Sequence, residues 1–167
     1  MSNGLLEIYL TDHLAGATAG ARRMRRLADA ERKAEDGFTL RRVADEIDED
    51  RDTLVSILRA EGIEPRWYKS AMSRAGEAVA RLKTNGEVFH RSPLTSLVEL
   101  EAMRMGVTGK LDLWTALRQT TLAEQQDFDR LIDRAMGQLR DLDEAHRRRV
   151  GVINGAHSSD DVPSNSR

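Results

Sequence analysis

Cysteine is absent from this chain of 167 residues. Disulfides, thiolate zinc sites, iron–sulfur clusters and a cysteine nucleophile are therefore excluded. Proline occurs 3 times and glycine 12 times, whereas the strong helix formers Ala, Leu, Arg and Glu dominate. That balance belongs to long helices. Charge of one sign is also lacking: 26 basic residues face 28 acidic ones, for a formal net charge of -2. No global field draws nucleic acid or anionic lipid. No run approaches the roughly 18 apolar residues of a membrane span; the small-apolar stretch Leu14 to Ala21 is far shorter. Met1-Ser-Asn-Gly has no basic segment leading into a long apolar one, so no secretory signal is read there and a cytoplasmic protein is expected. Arginine greatly outnumbers lysine, a composition of GC-rich bacterial genomes.

Hydrophobic periodicity predicts helices throughout. Helix A runs from about Leu5 to about Lys33, with Leu6, Leu10, His13, Ala17, Gly20, Met24 and Leu27 on one stripe and a stop at Glu35-Asp-Gly37. Helix B runs from Thr39, or just before, to about Ala60, with Leu40, Val43, Ile47, Asp50, Leu54 and Ile57 inward; Gly62 ends it. A shorter amphipathic helix is read from about Trp67 to Lys83, terminated by Asn85-Gly86. Helix C takes Ser92 as N-cap and Pro93 as its first residue. Its stripe is Leu94, Leu97, Leu100, Met103 or Arg104, Val107, Leu111, Trp114 and Leu117, with a bend or break allowed at Gly106 and Gly109. Helix D spans about Ala123 to Val152, with Phe128, Leu131, Ala135, Gln138, Leu142 and His146 inward. Residues 1–152 form one domain on this reading, and the aperiodic tail 153–167 is disordered. Strand-like alternation, internal repeats, a glycine phosphate loop and a Ser-His-Asp triad are not found.

Two long hairpins joined by a long helical link give an all-α, antiparallel four-helix bundle. Its course is up-down-down-up, with a helical crossover between helices B and C. At this point the chain resembles the ferritin-like superfamily, particularly its small bacterial helical bundles. The likeness covers roughly residues 5 to 150. It is carried by Tyr9-Leu-Thr-Asp-His-Leu-Ala-Gly-Ala-Thr-Ala-Gly20, Asp45-Glu-Ile-Asp-Glu-Asp-Arg-Asp-Thr-Leu54 and Leu97-Val-Glu-Leu-Glu-Ala-Met-Arg-Met-Gly106.

The resemblance implies a di-iron or di-manganese carboxylate centre. Such a centre takes one Glu from each of two helices and a Glu-x-x-His from each of the other two. This chain departs from that pattern. Glu46 has Glu49 three residues on, Glu99 has Ala102, and Glu87 with His90 falls in a predicted loop. Asp143 with His146 is a shorter-armed variant, and helix A offers Arg22, Arg23, Arg25 and Arg26 where a carboxylate is needed. The reading that follows is a bundle that has lost the metal site, with no cofactor and a structural or protein-interaction role. The alternative is an iron or manganese protein, an oxidase or iron handler, with ligands drawn from Glu46, Glu49, Glu101, Asp143 and His146.

Counting from the turns sets Asp50 near Arg22 and Met24, and Glu101 near Asp141 and Asp143. Glu46, Glu49, Asp50, Glu99, Glu101, Asp143 and His146 then fall at similar heights, as either a degenerate metal site or an ion-pair network with Arg22, Arg23, Arg26 and Arg104. His13 is either a ligand or proton carrier or a satisfied core histidine, and Gln138 a buried amide that fixes helix register. Gly16 and Gly20 make a small-residue face, for close packing within the chain or for a homodimer. The arginine runs Arg22 to Arg26, Arg41-Arg42 and Arg147 to Arg149 have acids interleaved, which argues against nucleic acid.

Overall fold

The computed structural model describes residues 4–64 and 93–155. Within them lie four α-helices and no strand: α1 (Gly4–Ala30), α2 (Gly37–Ala60), α3 (Pro93–Leu117) and α4 (Phe128–Gly155). A short 3-10 turn (Thr121–Glu124) stands between the last two. α1 packs along α2 and α3 along α4, while α1 also meets α3 and α2 meets α4. No described helix is long and apolar enough to cross a membrane. The expected helix over 67–83, its Asn85-Gly86 stop, the Ser92 cap and the tail beyond residue 155 lie outside the described residues.

Each helix end has a local cause. α1 stops at Ala30, a turn earlier than the sequence suggested, and α2 starts at Gly37 itself. Gly37 is needed there because a Cβ would stand 2.7 Å from the Glu31 carbonyl oxygen and 2.8 Å from that of Arg32. α2 ends in a Schellman motif. Gly62 at φ 72 lets its own N–H reach the Arg59 carbonyl at 3.0 Å and the Ile63 N–H reach that of Leu58 at 2.8 Å. Ile63 is buried in the same apolar cluster as Leu58. α3 runs unbroken through Gly106 and Gly109.

The expected start of the last helix near Ala123 is corrected. Thr120 first caps the 3-10 turn by accepting the Leu122 N–H at 3.3 Å. Asp127 then caps α4 by accepting the Arg130 N–H at 3.0 Å. At its other end α4 continues to Gly155, past the expected end near Val152.

The buried side chains form two apolar clusters stacked along the bundle. One gathers Met24, Leu27, Leu40, Val43, Leu100, Met103 and Leu142. The other gathers Leu10, Leu14, Leu54, Leu58, Trp114, Leu117, Phe128 and Leu131. Trp114 and Phe128 anchor the second, with ring centroids 6.0 Å apart. The predicted α2 stripe is buried in full. On α1 the expected Leu10, Met24 and Leu27 are buried, but between them the buried line runs through Leu14, Thr18 and Ala21, with His13, Ala17 and Gly20 turned to its side. Leu94, expected inward, is 55% exposed, and Leu113 takes a core place that the sequence reading omitted.

Gly37→Ala forces its new methyl against main-chain atoms and is expected to destabilise by about 1–3 kcal/mol, a fall of roughly 2–12 °C in melting temperature. Gly109→Ala, where a Cβ meets nothing within 4 Å, is expected to stabilise by about 1 kcal/mol through helix propensity alone. Thermal melts followed by circular dichroism check both directions.

Candidate functional site: a charged layer and an adjoining cleft

Asp50 interrupts the apolar stripe of α2 between Ile47 and Leu54, at the seam between the two clusters. It is 1% exposed. An anion at that depth costs several kcal/mol unless paired and hydrogen-bonded, and the fold supplies a partner from each of two other helices. Lys110 of α3 donates from Nζ to Asp50 Oδ2, and Arg134 of α4 donates to Asp50 Oδ1. Gln138, one turn beyond Arg134 and fully buried, donates from Nε2 to Asp50 Oδ2 at 3.1 Å and to Glu46 at 3.1 Å. Its Oε1 accepts from Lys110 at 2.5 Å. Arg134 also binds Glu49 at 2.8 Å.

Burial pulls the Lys110 pKa below its ordinary value, with the Arg134 charge acting the same way and Asp50 opposing both. The ammonium is therefore held in place by the carboxylate against its surroundings.

The layer continues outward through exposed pairs. Arg42 bridges Glu46 and Asp141, each at 2.7 Å. Arg25 of α1 bonds Asp48 and, at 2.6 Å, Asp45. A second buried clasp closes one end. Arg149 of α4, 11% exposed at its side chain, grips Asp36 at 2.5 and 3.0 Å and Glu31 at 3.1 Å, and Ser96 of α3 donates to Glu31. Asp36 stands in the N-cap position of α2 but makes no capping bond with its side chain. Its carboxylate serves Arg149 instead.

The four carboxylates and one imidazole singled out as metal ligands divide into two sets. Glu46 and Glu49 lie with Gln138 and Arg134 along the α2–α4 contact. Glu101 and Asp143 lie along the α3–α4 contact, where His146 meets Glu101 at 3.2 Å and Arg104 meets Asp143. Among the described residues no group of three or more His, Asp or Glu is gathered as for a metal ion. The expected neighbours of Asp50 are corrected: Lys110 and Arg134 hold it, and Arg22, Arg23 and Arg26 sit exposed. Of the arginines expected in the network, Arg104 takes part through Asp143. Glu87 and His90 lie outside the described residues.

Beside the charged layer, α1, α2 and α3 enclose a cleft of about 360 Å³, within the range of small-molecule sites. Gly16 and Gly20 of α1 and Gly106 and Gly109 of α3 line it. A Cβ at Gly16, Gly106 or Gly109 would meet nothing within 4 Å, and one at Gly20 only the end of Met103 at 4.0 Å. The close-packing role expected of Gly16 and Gly20 is thus overturned: they leave room. His13 borders this cleft, half-buried, with the Tyr9 ring edge-on at 4.6 Å. Burial lowers its pKa from 6.5, although Asp12 and Asp112 pull the other way. Lys110, Arg134 and the cleft were missed from sequence. A lone lysine in a helix-period pattern carries no mark of burial, and the paired glycines read as packing.

No family model matches the chain, and no curated protein or solved structure is similar enough to it to place it in a family.

Asp50→Ala strands two cations in the interior and is expected to cost about 3–5 kcal/mol; adding Lys110→Met to it recovers part of that loss in urea denaturation. For His13 the sign follows from proton uptake. Below its ordinary pKa of 6.5 the unfolded chain takes up a proton that the folded chain resists. Stability therefore falls as pH drops through that window. Wild-type stability minus that of His13→Gln, measured by denaturation from pH 7.5 to about pH 5, is expected to decline on acidification.

Proposed function

We propose that the chain is a ferritin-like bundle, up-down-down-up, in which an ion-pair layer stands where that superfamily holds two metal ions. Its role on this reading is structural or protein-binding. The topology is supported by pairings whose numbers run in opposite senses. Along α2 and α4, Arg149 meets Asp36, Arg42 meets Asp141 and Arg134 meets Asp50. Between α1 and α3, Met24 shares a cluster with Leu100, and Leu10 shares one with Leu117.

The observation that carries the functional reading is the Asp50 carboxylate, buried with one oxygen given to Lys110 and the other to Arg134. A metal centre needs carboxylate lone pairs free to converge on a cation. Here two fixed positive charges occupy those lone pairs, and an entering cation would have to displace both.

A protein-binding role has its own support on α3. Leu94, Val98 and Met105 recur at helical spacing and are 55%, 57% and 71% exposed. Such a stripe suits a second copy of the chain or another protein. No nucleic-acid role is proposed, because Arg25, Arg42, Arg148 and Arg149 all face acids within the chain.

Protein purified from cells supplied with iron and manganese is expected to carry far less than one metal ion per chain by elemental analysis. In sedimentation it is expected to run as a dimer that Val98→Glu with Met105→Glu dissociates. Close to two bound metal ions per chain would overturn the reading.

A further inference from the structure

Nine large apolar side chains stand exposed among the described residues, and six of them belong to two neighbouring helices: Leu5, Ile8 and Tyr9 of α1 and Leu94, Val98 and Met105 of α3. Two adjacent helices of this length present a face of roughly 40 by 20 Å, close to the roughly 800 Å² per partner that a stable interface covers. Charge decides what fits such a face. The outward stripe of α1 recurs at spacings of three and four through Leu5, Ile8, Asp12, Ala15, Ala19 and Arg23, all exposed. Neither Asp12 nor Arg23 makes an ion pair among the described residues. Arg25, on the side of α1 toward α2, is by contrast spent on Asp45 and Asp48.

Asp12 and Arg23 lie eleven residues apart, which is three turns, so they share one side of the helix at a separation of roughly 16 Å. Their midpoint falls between Ala15 and Ala19. A copy of α1 laid antiparallel about that midpoint sets Asp12 of each chain against Arg23 of the other. The crossing point then lies over alanine side chains. A parallel copy would set Asp12 against Asp12 and Arg23 against Arg23, and like charges disfavour that pairing. The stripe is therefore its own electrostatic complement in one direction alone, as a two-fold contact between identical surfaces requires. The end of Met103 lies 4.0 Å from where a Cβ of Gly20 would stand. On the topology proposed above, Met105 is then level with the midpoint of the α1 stripe.

We propose that α1 is a self-association helix. Two copies of the chain pair antiparallel along it through reciprocal contacts of Asp12 with Arg23, about a two-fold axis between Ala15 and Ala19, and the exposed α3 stripes flank that axis. This rests on the protein-binding reading and names its partner as a second copy of the chain. It does not depend on whether a metal centre has been lost.

Sedimentation equilibrium of the full-length chain tests it. The wild type is expected to dimerise. Asp12→Arg and Arg23→Asp each place two like-charge contacts in the symmetric interface and are each expected to weaken dimerisation about tenfold. Helicity is expected to stay unchanged, because both positions are exposed. An equimolar mixture of the two variants restores both contacts. It is expected to form a heterodimer within about threefold of the wild-type affinity, as is the homodimer of the chain carrying both substitutions. Recovery on mixing separates a lost contact from a lost fold. A wild-type chain that stays monomeric overturns the proposal. A dimer that neither single reversal weakens overturns the α1 pairing; if Val98→Glu with Met105→Glu still dissociates that dimer, the protein-binding reading stands without it. Losses in both single variants with no recovery on mixing overturn the reciprocal contact.

Discussion

A single carboxylate sets the register of this bundle. Asp50 lies too deep to be hydrated, and its charge is met by Lys110 from α3 and by Arg134 and Gln138 from α4. Apolar contacts alone tolerate sliding, because one leucine replaces another at little cost. An ionic contact of this geometry does not. Moving either partner helix by one turn, about 5.4 Å, would take its cation out of reach and leave Asp50 unpaired. The apolar clusters on either side supply the bulk of the burial energy. The charged layer decides which of their many packings is adopted. The long aliphatic stems of Lys110 and Arg134 make this possible, since they cross apolar ground before presenting a charge.

The remaining ion pairs differ in weight according to depth. Exposed pairs such as Arg118 with Asp129, or Arg148 with Glu144, contribute little each. The Arg149 clasp is different. It sits in a mostly covered pocket and binds both oxygens of Asp36. Asp36 gives up a helix cap worth about 1 kcal/mol to make that two-point, charge-assisted contact. The two buried ionic knots, at Asp50 and at Arg149, both link α2 or its entry turn to α4. They reinforce a helix pair whose contact is less extensive than those within the two hairpins.

Much of the fold was legible because its signals are local. The α2 stripe, the Gly62 stop and the inward run Phe128, Leu131, Ala135, Gln138 and Leu142 follow from period and end chemistry alone. The late start of α4 was missed although Asp127 carries a cap signal. The helix-forming residues before it masked a 3-10 turn. The polar interior was legible in half. Asp50 and Gln138 stand out as polar residues on apolar stripes, but their partners do not. Lys110 and Arg134 lie where a helix face turns from core to solvent, and only the tertiary contact shows which way each arm bends. Counting along the hairpin set Arg22 near Asp50, with Arg23 and Arg26 as further partners in the network, yet all three are exposed on α1.

Glycine placement bears on the same balance between filling and function. Each glycine inside a helix costs about 1 kcal/mol relative to alanine, and Gly16, Gly20, Gly106 and Gly109 lie together around one void. Alanine at three of them would meet no neighbour within 4 Å, so packing does not explain their choice. They cannot serve close helix approach either, since the helices do not close on them. They leave open the cleft of about 360 Å³ between α1, α2 and α3, directly beside the charged layer. Lys110 joins the two features, as it both lines the cleft and fixes α3 to Asp50. A bundle braced by ion pairs at that level tolerates an unfilled neighbour, where an apolar core of the same shape would tend to collapse into it.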